Sequence, residues 1–228
     1  MKLNNILEIN NLKFFWAIND DFKIEINNFK IKNNEKVLLL GKSGSGKSTL
    51  LNLISGILKP VSGSIKVESK ELSLLSSSQL DNFRAENIGV IFQQFNLLNF
   101  TSPIDNILLP CHFTNFKNKN YKFFKERAFA LSKKLNLDQE LLTKKNSNKL
   151  SVGQQQRISI LRAVINMPKI ILADEPTSAL DQSNRDLFLK MLFRICHNEK
   201  VSLLMVSHDE RLKSNFDKSY YIESLSTR

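Results

Sequence analysis

Cysteine is scarce: the 228 residues hold two, Cys111 and Cys196, far apart and without metal-ligand companions at useful spacing. That excludes a disulfide framework or a thiolate metal centre as the organising element, and a reducing cytoplasm is the compartment such usage fits. No run approaches the ~20 apolar residues a bilayer-spanning helix needs, so any membrane association is expected to come through a partner or the surface. Met1 to Trp16 is broken by Lys2, Asn4, Asn5, Glu8, Asn10 and Asn11 and lacks the continuous apolar stretch of a signal peptide, so no export is expected. No internal repeat is visible. Nor is there the poverty of apolar residues that keeps a chain disordered: 42% are hydrophobic and 24% charged, which suits one large α/β domain. Acidic residues are the minority charge, 22 against 33 Lys and Arg, for a net charge of +11. That balance suits nucleic acid or an anionic membrane, yet lysine and asparagine abundance also follows genomic base composition, so charge alone selects no partner.

What is present is concentrated in one stretch, Gly41-Lys42-Ser43-Gly44-Ser45-Gly46-Lys47-Ser48-Thr49, between the apolar runs Val37 to Leu40 and Leu50 to Ile57. The order reads strand, glycine-rich loop, helix. The glycines let successive backbone N–H groups point inward, and the helix adds its unpaired amides and positive dipole end, which together cradle phosphate. Lys47 supplies a mobile charge for the β- and γ-phosphates, the Ser48 hydroxyl is placed for a bridging Mg²⁺, and Thr49 reaches the α-phosphate. The stretch points to a nucleoside triphosphate.

Ile6 to Ile9 and Phe22 to Ile31 alternate apolar and polar side chains, as half-buried antiparallel strands do. Val37 to Leu40, Ile170 to Ala173 and Val201 to Val206 are continuous instead, as in strands buried on both faces of a parallel sheet. Helices are expected over Lys47 to Ile57, Tyr121 to Leu135, a segment after Ser151, and Ser183 to His197, giving a doubly wound α/β core. Residues from about 94 to 163 interrupt this rhythm with helical sequence and read as an inserted subdomain, leaving 1–93 and 164–228 as the core. Within the insert, the polar run Lys144 to Lys149 is expected to be a solvated turn.

Ile170-Ile171-Leu172-Ala173-Asp174-Glu175-Pro176 ends a buried strand in two carboxylates, where a parallel sheet positions its ligands. Asp174 is expected to face the Mg²⁺ and Glu175 to orient or deprotonate the attacking water.

Leu150-Ser151-Val152-Gly153-Gln154-Gln155-Gln156-Arg157 resembles the signature motif of ATP-binding cassette (ABC) ATPases, although valine stands at position 152 where glycine is commonest. Gln93 matches the family's Q-loop, the Ser178-Ala179-Leu180-Asp181 stretch its D-loop, and His208 its switch histidine, all in the family's order. The resemblance spans essentially the whole chain. It implies a P-loop NTPase with a RecA-like parallel core, an N-terminal antiparallel β subdomain and an inserted helical subdomain, binding ATP and Mg²⁺. Ser48, Gln93 and Asp174 would attend the metal, Glu175 activate water, and His208 steady the γ-phosphate. Trp16 matches the aromatic that stacks on adenine, with a packed core aromatic as the bland alternative. Ser151, Gly153 and Gln154 would contact the ATP of a second nucleotide-binding subunit, closing a head-to-tail dimer, most simply a homodimer, beside Asp181.

Ile88 to Leu98 and Asn106 to Pro110 resemble the branch serving lipoprotein-release and macrolide-export systems, with the cell-division ABC ATPase as a cousin. The resemblance implies an integral membrane permease as partner and a place on the cytoplasmic face of the plasma membrane. The runner-up, raised by the basic charge, is a soluble ABC ATPase acting on nucleic acid; a zinc-finger insertion, a heptad coiled coil and a second cassette are all missing, so no nucleic-acid partner is expected. The apolar segment Gln94 to Pro110 is the expected permease contact, with Phe95 and Leu98 as first candidates; burial inside the helical insert is the competing explanation.

Overall fold

The computed structural model of the chain describes residues 5–17, 22–114, 121–144 and 146–225. In chain order the elements are β1 (Asn5–Phe15), β2 (Lys23–Lys32), β3 (Lys36–Leu40), α1 (Lys47–Ile54), β4 (Ser62–Val67), β5 (Lys70–Glu71), α2 (Ser77–Asn87) and β6 (Ile88–Ile91). They continue with α3 (Pro103–Leu108), α4 (Tyr121–Lys134), α5 (Gln139–Lys144), α6 (Val152–Val164), β7 (Ile170–Asp174), α7 (Gln182–Glu199), β8 (Ser202–Ser207) and β9 (Lys218–Tyr221).

Period-two alternation in β1 and β2 produces an antiparallel sheet of order β2-β1-β4-β5, with Ile9 opposite both Phe29 and Ile65. The continuous apolar runs form the second sheet, order β6-β7-β8-β3-β9, whose recorded pairings are all parallel. Alternate side chains of the inner strands enter two different cores, which is why their central positions are apolar and their polar residues stand at the strand ends. Leu38, Leu40, Ile171, Ala173, Leu203 and Met205 pack with α3, α4, α6 and α7. Val37, Leu39, Ile170, Leu172, Leu204 and Val206 pack with α1, α2 and the antiparallel sheet.

Between Phe95 and Val164 the described residues contain helices and helical turns and no strand. Three readings of the sequence need correction here. The helix after the glycine-rich loop ends at Ile54, not Ile57, because Ser55 and Gly56 close it with N–H bonds to Leu51 and Leu53 and the chain reverses. In the run 144–149, Ser147 is buried rather than solvated: its hydroxyl donates to the Thr101 carbonyl (2.9 Å) and accepts from the Asn106 amide (2.9 Å). Phe95 is 7% exposed and belongs to the core shared by the helices and the sheet, with Ile104, Ile107 and Leu108 beside it.

Candidate active site

The carboxyl ends of β3, β7 and β8 converge on one corner of the parallel sheet. Gly46 caps α1 with φ of 94°, a left-handed conformation that L side chains rarely adopt, and a Cβ there would stand 2.9 Å from Phe22 Cζ. The loop therefore packs tightly, with Ser45 N donating to the Lys42 carbonyl (3.2 Å) inside it. Lys47 is buried and folds back along the loop, donating to the carbonyls of Gly41 (2.8 Å) and Lys42 (2.7 Å). The same Nζ lies 3.3 Å from Glu175 Oε1. Ser48 donates its hydroxyl to Asp174 Oδ1 at 3.0 Å across 126 residues of sequence. Burial pushes the Asp174 carboxyl above the ordinary aspartate range and the charge of Glu175 pushes it further, while the Ser48 hydrogen bond and Lys47 pull it back.

Glu175 adopts φ of 42°, unusual for a residue with a side chain and costing about 1–3 kcal/mol. Strand β8 and the following turn hold it there: its N–H donates to Val206 O (3.1 Å), and its carbonyl accepts from Ser178 N (3.1 Å). This turn aims the carboxylate back over the loop, where Oε2 lies 2.7 Å from His208 Nδ1, just past the end of β8. Gln93, after β6, reaches the same corner and donates to Ser178 Oγ at 3.1 Å.

A cavity of about 320 Å³ joins these groups: Ser43, Gly44, Gly46, Lys47, Ser48 and Thr49 on one side, Gln93, Asp174 and Glu175 on the other, Trp16 and Phe22 at its mouth. Ser45 lies behind it, its buried hydroxyl without a hydrogen-bond partner. Trp16 is 60% exposed and meets Phe14 edge-on at 5.0 Å between ring centroids, so it is not a core aromatic. Its free face is available for stacking. Adding ATP is expected to quench or shift the emission of Trp16, the single tryptophan in the chain; a spectrum unchanged at saturating nucleotide would remove it from the site.

Ser151, Gly153 and Gln154 do not line this cavity. They open α6, where Ser151 Oγ accepts from Gln154 N (3.3 Å) and Gln154 Oε1 from Ser151 N (3.0 Å), a reciprocal cap that leaves the helix start at the surface. Val152 is exposed between them. Asp181 caps α7 by accepting from the N–H and the side-chain amide of Asn184, which hold its carboxyl below the usual range.

The sequence assigned no site role to Phe22, Arg84, Phe113 or Arg162. The last three line a groove of about 660 Å³ beside β6, together with Phe92, Asn96, Leu109 and Pro110. Gly89 makes this groove possible, since a Cβ there would meet the Ala163 carbonyl at 2.1 Å and push α6 off the sheet.

A glycine-rich loop between a buried parallel strand and a helix, with its serine bound to the carboxylate that ends a second strand, defines a P-loop nucleoside triphosphatase. Within that class the comparisons are specific: residues 24–178 match the ABC transporter family, and the chain belongs to it. It is 36% identical over 213 residues to the lipoprotein-releasing system ATP-binding protein LolD of Buchnera aphidicola, covering 92% of this chain and 91% of that one. It is 38% identical over 216 residues to the macrolide export ATP-binding/permease protein MacB of Mannheimia succiniciproducens, but spans only 33% of that protein against 94% of its own length. Among solved structures, the dimeric cassette MJ0796 bound to ADP and Pi superposes with a TM-score of 0.79 at 31% identity, covering 94% of this chain and 93% of that one. A second, cbiO1 of Clostridium perfringens, gives 0.82 at 26% identity, covering 96% and 84%. The chain is an ABC ATPase: it binds and hydrolyses ATP.

Proposed function

We propose that this ATPase energises a membrane permease of the lipoprotein-release or macrolide-export kind, working as a homodimer in which each ATP is held between two copies. The observation that carries this reading is the separation of its two phosphate cradles. One chain's cavity is lined by the loop from Ser43 to Thr49 but by no part of the start of α6, which lies at the surface, where Ser151 and Gly153 could meet a nucleotide on another chain. The relative MJ0796 is described as dimeric, and LolD and MacB are named as components of membrane systems. Among the described residues no helix is long and apolar enough to cross a membrane, so attachment to its cytoplasmic face would run through the permease.

The donor set fits Mg²⁺. The oxygens of Ser48 and Asp174 are adjacent, and Mg²⁺ takes few protein ligands, completing its shell with phosphate and water. Gln93, which lines the same cavity, would offer a third oxygen. When bound, the ion would neutralise phosphate charge. Lys47 holds the β- and γ-phosphates, Glu175 Oε accepts the proton of the attacking water, and His208 orients that carboxylate and the γ-phosphate. Residues 94–163 act as the helical insert that carries the second cradle.

The permease would dock in the groove beside β6. Its lining is largely apolar and includes Phe92, next to Gln93, and Phe113, which is 63% exposed; Phe95 is turned inward and Leu98 is half-buried, its N–H held by Asn106 at 2.8 Å. Phe113→Glu is therefore expected to abolish co-purification with the permease while leaving the Mg-ATPase of the isolated chain within about two-fold. Normal co-purification would put the docking site elsewhere.

A further inference from the structure

Arg162 lies ten residues into the signature helix α6, and its side chain is 7% exposed. A guanidinium so buried ordinarily pairs with a carboxylate, because a desolvated charge costs several kcal/mol. Among the described residues none does so here. Its two terminal nitrogens donate instead to consecutive backbone carbonyls, Nη1 to Asn96 O at 2.7 Å and Nη2 to Phe95 O, and its plane lies 5.8 Å from the ring centre of Phe92. The recipient turn is unusual in its own right. Phe95 and Asn96 are consecutive non-glycine residues in the left-handed region, φ 57° and 46°, after a tight reversal in which Phe95 N donates to Phe92 O and Asn96 N to Gln94 O. Such a pair persists only when its surroundings over-determine it. An apolar side chain would fill this space at lower cost, but it could not supply two parallel donors.

We propose that Arg162 is a positioning residue for ATP hydrolysis: by clamping the 95–96 turn to α6 it fixes the direction in which Gln93, two residues earlier, enters the nucleotide site. This rests on Gln93 serving the ATP site, as argued above. One rigid unit then carries three features: the start of α6 that faces a partner's nucleotide, the Gln93 side chain that faces this chain's own, and the groove wall made by Phe92 and Asn96. The guanidinium acts through the turn and touches no nucleotide.

The test is steady-state hydrolysis by the purified full chain carrying Gln93→Ala, Arg162→Lys, or both, with ATP affinity measured separately in EDTA. Lysine keeps the charge but loses the fork. Arg162→Lys is expected to lower kcat at least about ten-fold with the EDTA affinity unchanged, as for a misplaced group. The double variant should be no slower than the slower single one, because both changes remove the same contribution. Arg162→Lys at full speed beside a slow Gln93→Ala, or losses that multiply, would overturn the clamp and leave Gln93 in place; Gln93→Ala at full speed would overturn the Gln93 assignment itself. If Arg162→Lys does not fold, Asn96→Val decides. It is an exposed change that disfavours the left-handed turn while leaving Arg162 intact. A comparable fall in kcat supports the clamp, and an unchanged kcat overturns it.

Discussion

A Glu175→Gln chain is expected to bind Mg-ATP, lose about 10²–10⁴-fold in hydrolysis, and run as a dimer on gel filtration in Mg-ATP. Glutamine keeps the volume and the contact to His208, and the backbone bonds to Val206 and Ser178 hold the turn at 175 whichever side chain it carries. What is lost is the basic oxygen. The change also removes a charge that pushes the Asp174 carboxyl up, so Asp174 should ionise more readily. Binding and chemistry are thereby separated: ATP enters, the two cradles close, and nothing releases them. A strictly monomeric variant at high protein concentration would count against the two-chain site, and hydrolysis within about ten-fold of wild type would remove Glu175 as the base.

Lys47→Ala should fail one step earlier. Among the described residues that line the cavity its ammonium is the one side-chain cation, already desolvated and directed by two carbonyls, so its charge-assisted bonds to phosphate are worth about 1.5–3 kcal/mol. Affinity for ATP should fall about ten- to 150-fold on that figure, and turnover should become undetectable even at nucleotide concentrations that restore binding. Equilibrium titration with a fluorescent ATP analogue gives the first number and phosphate release the second. Undiminished turnover would refute the role given to the loop. The pair is diagnostic, because Glu175→Gln should trap a closed nucleotide complex and Lys47→Ala should scarcely form one.

The most legible parts of the chain were those where one physical demand fixes several adjacent residues. A strand buried on both faces must be apolar throughout, which exposes β3, β7 and β8 directly, and a phosphate cradle must spend three glycines within six residues, Gly41, Gly44 and Gly46. The site residues at these strand ends followed from that. Weaker patterns hid other elements. Strand β6 is four residues long and contains a glycine, so it carried no periodicity, and α2 was missed although Ser76 and Gln79 form a capping box at its start. Burial within the insert was illegible because Phe95 and Phe113 are chemically the same residue; only the left-handed turn, which no apolar pattern encodes, sends the first inward. Arg162 carried no signal for the same reason: its partners are backbone carbonyls, which every sequence has.

The position of β8 has a consequence for how the protein is made. Strands β3 and β7 do not pair with each other; β8 lies between them and bonds to both. On the ribosome, the phosphate loop and the acidic strand end would remain unconnected until residues 202–207 emerge and slot between them, whereas the N-terminal antiparallel sheet can assemble from residues 5–71 alone. Nucleotide would then bind only after residues 202–207 have left the ribosome, and its binding would stabilise just those chains whose central strand had been threaded correctly.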